Sequence, residues 1–311
     1  MSSNTKTNEL NQNTELGHLM AAPLLVDGPL FARWFRSRMS AQHAAVPMSP
    51  DQIREAIEIA DRPKYQLAGG TAVIKIMGPI EYRMSEWSWW YGGTSCQAIG
   101  AAVQAAIDAE EVSKIVLQVD SPGGVYPGVP ELAKQIYDQR GAKPIVAVID
   151  PYAASAAIWV ATAASRVVSI GSGMAGSIGA YTQVVSWSEL LKKEGYDARV
   201  IRSPEWKAEG HPFESLTDEY VAYRQDYINA IAAEFTAAVA KHRGVRPNVA
   251  AEKFGGGRMM PAAEARKAGL IDRIGNLASE LSAGSGKRRS SARTEHIRVA
   301  AVTRPFRRRP Y

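Results

Sequence analysis

Ser155 stands near the start of an alanine-rich run, DPYAASAAIWVATAAS over residues 150–165, that has the composition of a buried helix. Small residues there let a helix pack closely, and a serine among them can serve that purpose alone. It can also be a nucleophile, because unpaired first-turn amides and the helix dipole favour negative charge beside it. A hydroxyl is a weak nucleophile without a base. Of the histidines His18, His43, His211, His242 and His296, only His211 lies in a segment with the texture of a site, SPEWKAEGHPFESLTDE. The same segment carries Lys207, between Trp206 and Ala208. A lysine in a poorly solvated pocket has its pKa lowered and can accept a serine proton. On residue types alone, Ser-His and Ser-Lys pairings both stay open.

Three further stretches could serve such a pair. QVDSPGGVYPG, residues 118–128, ends a strand, turns at Pro122 and passes through Gly123 and Gly124 toward a helix. Paired glycines let backbone N–H groups face outward ahead of a helix N-terminus, an arrangement that can hold an oxyanion. The N–H of Ser155 or Ala156 would be the second donor. MAGSIGAYTQV, residues 174–184, reads as a tight turn between strands that displays Ser177, whose hydroxyl can orient a lysine amine. In EWSWWYGG, residues 86–93, Trp87, Trp89, Trp90 and Tyr91 crowd one short loop, suited to local packing or to gripping an extended peptide.

The elements that must position these residues follow a repeating pattern. TAVIKIMG, SKIVLQVD, PIVAVID and SRVVSIG read as strands; CQAIGAAVQAAIDAE, PELAKQIYDQR and AASAAIWVATAA read as helices between them. Short apolar runs alternating with longer helices predict an α/β fold of repeated βα units with a mostly parallel sheet. A helix over Trp187–Glu194, a strand DARVIR at 197–202 and a long helix from about Thr217 to His242 follow. PAAEARKAGLIDRIG then reads as a helix and an edge strand. The long helix carries Tyr220, Tyr223, Tyr227, Ile231 and Phe235 at helical spacing, a stripe for the chain's own sheet or for a second subunit. Residues 1–65 are expected to be irregular apart from a short helix near Asp51–Ala60. Residues 66–282 should form the main domain, and 283–311 a basic disordered tail.

Composition narrows the function classes. A chain of 311 residues, 46% hydrophobic and 22% charged, can bury one substantial core. A single cysteine, Cys96, excludes an intrachain disulfide, and Cys and His lack the spacing of a structural zinc site. No metal and no cofactor is expected. From Gly284 onward there are nine Lys/Arg against one Glu, which exceeds the whole net charge of +6. The preceding residues are therefore slightly acidic, and only the tail argues for a nucleic-acid or acidic partner. Near the N-terminus the longest apolar stretch, Leu19 to Val26, is interrupted by Pro23, too short for a bilayer and without the basic flank of a signal peptide. A cytoplasmic location, off the membrane, is expected.

Taken in order, DSPGG, ASAAIWVATAASR, GSIGA, WKAEGHPFESLTDE and the closing AAEARKAGLIDRIG resemble the serine peptidases of the signal-peptide-peptidase A type, family S49, from about Thr71 to Gly275. The resemblance implies a ClpP/crotonase-like fold and a Ser-Lys dyad, a recognised variant of serine catalysis. Ser155 matches the nucleophile, Lys207 the general base and Ser177 the serine that orients the lysine. Gly123 and Gly124, with Ala156, match the oxyanion hole. AASAA departs from the family in carrying alanine where members often have glycine after the serine.

The resemblance further places Trp87, Trp89 and Trp90 near the substrate entrance. It implies a homo-oligomer in which serine and lysine can come from neighbouring subunits. APLLVDGPLFARWF and the expected lack of a membrane anchor resemble the phage capsid-maturation branch rather than the envelope enzymes that digest signal peptides. Its implied substrates are capsid scaffold, portal or coat proteins, cut in the host cytoplasm within the procapsid. Activity is then expected to rise with pH as the lysine gives up its proton. Two rivals differ in kind. One is a crotonase-fold enzyme acting on acyl-CoA, which has no need of the Ser155/Lys207/Ser177 set. The other is a catalytically silent assembly protein that binds scaffold.

Overall fold

The computed structural model describes residues 48–282 together with the backbone of two short strands, Leu24–Val26 and Arg298–Ala301. In chain order come β1 (Leu24–Val26), α1 (Pro50–Ala60), β2 (Lys64–Ala68), β3 (Thr71–Met77), β4 (Ile80–Glu81), α2 (Glu86–Trp90), β5 (Thr94–Ser95) and α3 (Cys96–Asp108). Then follow β6 (Lys114–Ser121), β7 (Gly123–Val125), α4 (Val129–Gln139), β8 (Ile145–Ala154), α5 (Ala156–Thr162), β9 (Arg166–Ser169) and β10 (Met174–Gly176). The last elements are α6 (Ser188–Lys193), α7 (Asp218–Arg243), α8 (Pro247–Lys253), β11 (Met259–Pro261), α9 (Ala262–Ala268), β12 (Arg273–Ile274), α10 (Leu277–Ser282) and β13 (Arg298–Ala301).

The expected α/β architecture with a mostly parallel sheet is present. Nine strands form one sheet of order β11-β10-β8-β6-β3-β2-β13, with β9 beside β8 and β12 beside β9. The pairs β3–β6, β6–β8, β8–β10, β8–β9 and β9–β12 are parallel; β2, β11 and β13 add antiparallel edges. Central parallel strands are covered on both faces, so they must be apolar at consecutive positions rather than alternating. That is why Ile115, Val116 and Leu117 of β6 and Ile145 to Ile149 of β8 are all buried. α3 packs against β2 and β3, and α4 against α3 and α5. A second, four-stranded sheet of order β1-β7-β4-β5 carries both the chain after Pro122 and the aromatic α2.

Among the described residues, Ala180–Glu234 group into one compact unit, while the segments up to Gly179 and from Phe235 group into the other. The stretch 66–282, expected as one domain, thus contains two units. Two local expectations give way here. DARVIR forms no strand and pairs with none of the described strands; its Ile201 is 98% exposed. Arg202 pairs with Glu214 instead, and Arg199 with Asp197. Likewise GSIGA does not turn between two strands: β10 ends at Gly176 and the chain leaves for the second unit.

The aromatic stripe of α7 is divided. Ile231 and Phe235 are buried, and Phe235 stacks on Trp159 of α5 with ring centroids 4.5 Å apart, whereas Tyr223 and Tyr227 are exposed. Within the segment expected to be a disordered tail, Arg298–Ala301 form β13, antiparallel to β2. The rest of that tail, and most of the N-terminal segment, lie outside the described residues. No described helix is long and apolar enough to cross a membrane.

Candidate active site

β8 delivers Ser155 to a sharp strand-to-helix junction. It is the N-cap of α5, with φ 52° and ψ −119°, and is 1% exposed. L-residues avoid positive φ because Cβ crowds the backbone, so such a residue stores strain that the surrounding structure must hold in place. Among the described residues, only three other than glycine have positive φ: Ser155, Ser177 (56°) and Ala208 (64°). Two are expected site residues, and the third follows Lys207.

Strand register joins the two serines. β8 and β10 run parallel with Ala154 opposite Gly176, so the next residues, Ser155 and Ser177, leave adjacent strand ends side by side. The Ser155 N–H donates to the Gly176 carbonyl at 2.8 Å, and the Ser177 N–H to the Arg258 carbonyl at 2.9 Å. Ligand sites of parallel sheets gather at the C-terminal ends of the strands, where these residues lie.

β6 ends at the same place. Its register against β8 shifts after Val119, which sets Ser121 opposite Ala153. Buried Ser121 donates its hydroxyl to the Gly78 carbonyl (2.6 Å) and accepts the Gly123 N–H (3.1 Å). The Gly123 N–H, expected as an oxyanion donor, therefore spends its hydrogen bond on Ser121. Gly124 pairs with Ile80 of β4, and a Cβ on it would overlap the Ile80 carbonyl. Ala156 occupies the first position of α5, where the helix supplies its N–H with no acceptor.

The candidate bases are both in the 180–234 unit. Lys207 is exposed, on a turn where its N–H donates to the Pro204 carbonyl at 3.0 Å, not in the poorly solvated pocket expected of it. His211 accepts the Phe213 N–H on Nδ1 at 3.2 Å and packs edge-on against the Phe213 ring. Cys96 is no rival nucleophile, because burial, with the nearby charge of Glu131, pushes its thiol up to about 12. Trp87, Trp89 and Trp90 are half-buried on α2, where Trp87 packs on Tyr91 and Trp89 on Trp90.

The sequence model of peptidase family S49 matches residues 138–283, a span holding Ser155, Ser177 and Lys207. The chain carries a peptidase family S49 domain. It is 31% identical over 249 residues to the head-tail preconnector protein GP5 of Enterobacteria phage P21, covering 74% of this chain and 50% of that one. It is 29% identical over 212 residues to the capsid assembly protease C of Escherichia phage lambda, covering 68% and 48%. The chain thus spans about half the length of these curated relatives. A ClpP1 mutant from Listeria monocytogenes aligns with TM-score 0.41 and 14% identity over 67% of this chain and 94% of that one.

Within the S49 domain, the far end of the serine helix is tied down by a histidine. His242 of α7 places Nδ1 3.1 Å from the Thr162 hydroxyl and stacks on Tyr137. Burial, then the charges of Arg140, Lys241 and Arg243, lowers its pKa to about 4. The unfolded chain binds the proton at a higher pH than the folded one, so stability present near neutrality is lost as pH falls from about 6.5 toward 4. Melting temperatures followed over that window should fall in the unmodified protein and fall less steeply in His242→Gln. Parallel curves would assign the acid sensitivity to other groups.

Proposed function

We propose that this chain is a serine endopeptidase in which Lys207 is the general base for Ser155. Lys207 Nζ takes the proton of Ser155 Oγ as that oxygen attacks a peptide carbonyl. The tetrahedral oxyanion is held by the Ala156 N–H and by amides of Gly123 and Gly124 at the start of β7, which requires the Gly123 N–H to turn from Ser121 toward substrate. Collapse releases the amine, which takes the proton from Lys207, and leaves an acyl-Ser155. Water, deprotonated by Lys207, then frees the acid. Ser177 orients the lysine amine, and Trp87, Trp89 and Trp90 grip the extended substrate.

The observation that carries this reading is the pair of strained serines at adjacent strand ends of an S49 domain. Strain of about 1–3 kcal/mol per residue persists where the surrounding structure over-determines it, commonly at active sites. The names of the two phage relatives, a capsid assembly protease and a head-tail preconnector protein, support scaffold, portal or coat proteins as substrates during head assembly. Covalent labelling of Ser155 by a fluorophosphonate, read by peptide mass, tests the chemistry. A protein that leaves both the probe and unfolded casein untouched is instead an assembly protein without proteolysis.

The working form is a homo-oligomer whose sites are completed between subunits. Eleven of the fifteen exposed large hydrophobic residues among those described lie in the 180–234 unit that carries Lys207, including Trp187, Leu190, Ile201, Trp206 and Tyr223. That concentration of exposed apolar side chains in one unit supports a protein contact there. A neighbour seated there would also desolvate the lysine. Mixing inactive Ser155→Ala subunits with inactive Lys207→Ala subunits should restore part of the activity. Silence after verified subunit exchange would overturn the shared site and leave the dyad standing.

A further inference from the structure

The strained serines are held by backbone carbonyls, and the outermost of these belongs to a segment distant in sequence, KFGGGRMM at residues 253–260. Ser155 hangs on the Gly176 carbonyl, and Ser177 on the Arg258 carbonyl. Gly176 must be a glycine, since a Cβ there would meet the Arg258 carbonyl oxygen at 2.5 Å. Arg258 in turn closes a tight turn, its N–H donating to the Gly255 carbonyl at 2.9 Å. The two central residues of that turn, Gly256 and Gly257, have φ 53° and 85°, the signature of a type I′ turn. No heavy atom would lie within 4 Å of a Cβ on either, so they are glycines for their backbone conformation and not for want of space.

The turn is pinned at both ends. Phe254 is buried and its N–H bonds to the Ala250 carbonyl; Met260 is buried, and the Ala262 N–H bonds to the Gly173 carbonyl at 2.8 Å. Between those pins Met259 pairs with Gly176 in the β10–β11 ladder, and the φ values of the two exposed glycines set how the chain enters it and so how the Arg258 carbonyl is aimed.

We infer that the Gly255–Arg258 turn is a positioning element for the serine pair, setting Ser177 and through Gly176 the angle at which Ser155 is presented. This rests on the serine-peptidase reading above. The turn acts through backbone alone, and the Arg258 side chain has no part in it. Misplacement of a nucleophile by a fraction of an ångström lowers turnover without weakening substrate binding.

The test compares two substitutions at Gly256, where either side chain has room. Gly256→Val puts a β-branched residue at positive φ, which it strongly resists. Gly256→Asn gives an Asn-Gly pair, the sequence that type I′ turns favour. In the whole 311-residue chain, Gly256→Val should lower kcat and the fluorophosphonate labelling rate of Ser155 at least about tenfold, with KM unchanged. Gly256→Asn should leave both near the unmodified values. Amide hydrogen exchange at residues 174–178 should quicken in Gly256→Val while exchange in α7 stays slow. Equal rates in all three proteins would overturn the positioning role while the peptidase reading stands. An unmodified protein without labelling or hydrolysis would overturn both. Should Gly256→Val fail to fold, Gly256→Ala, a smaller side chain with the same φ penalty in kind, takes its place with the same expected order.

Discussion

Ser155→Ala and Lys207→Ala are each expected to lower peptide hydrolysis by about 10⁴-fold or more with the fold intact, and the double variant to lose little beyond either single one. Members of a catalytic unit are non-additive because each is useless without the other. The control is His211→Ala, which should stay active; the reverse pattern, activity surviving in Lys207→Ala and lost in His211→Ala, would make histidine the base.

The geometry of Ser155 adds a second readout. At φ 52° any side chain is strained, and glycine is not. Ser155→Gly should therefore be as inactive as Ser155→Ala yet melt higher, by the equivalent of about 1 kcal/mol. A glycine variant more stable than the equally inactive alanine variant is the mark of a backbone conformation held at a cost in stability. If Ser155→Gly melted lower than Ser155→Ala, the strain argument would be wrong.

Glu280→Ala is expected to cost about 3 kcal/mol of stability, close to 10 °C in melting temperature for a domain of this size. Glu280 sits in α10, fully buried, with Oε2 2.7 Å from Lys114 Nζ and 3.2 Å from Arg166, while Oε1 pairs with Arg273. Lys114 Nζ also donates to the Glu280 carbonyl at 2.7 Å. One carboxylate thus ties α10 to the starts of β6 and β9 and to β12.

Removing it strands the nearly buried Lys114 ammonium, and an unpaired buried charge is what makes such a deletion expensive. Adding Lys114→Met to Glu280→Ala should accordingly recover part of the loss. Burial raises the Glu280 pKa, but the Lys114 hydrogen bond and the charges of Lys114, Arg166 and Arg273 outweigh it and hold the carboxyl below the usual range. Its contribution is present above the ordinary glutamate pKa and lost as pH falls through the lowered one. Thermal melts of the two variants check this. A loss under about 1 kcal/mol in Glu280→Ala would class the cluster with ordinary surface pairs.

Much of the molecule is legible in the chain because its signals are local. Consecutive apolar residues in SKIVLQVD and PIVAVID can satisfy only strands covered on both faces, and the helices between them leave a parallel sheet as the arrangement. The positions of Ser155, Ser177 and Lys207 are also local, carried by short motifs in a fixed order. What the chain does not announce depends on backbone pairing between distant segments. The positive φ of Ser155, the shift that brings Ser121 under the Gly123 N–H, and the Arg258 carbonyl under Ser177 each need a partner strand already in register. A segment such as DARVIR carries a strand pattern but pairs with no described strand, so it stays irregular and leaves Ile201 in solvent. Side-chain periodicity is written residue by residue, whereas which carbonyl meets which amide is decided only when strands tens of residues apart have paired. The sequence therefore determines which residues are candidates for the proposed chemistry, and the tertiary structure alone decides how two of them, Ser155 and Ser177, are bent into adjacent strained positions.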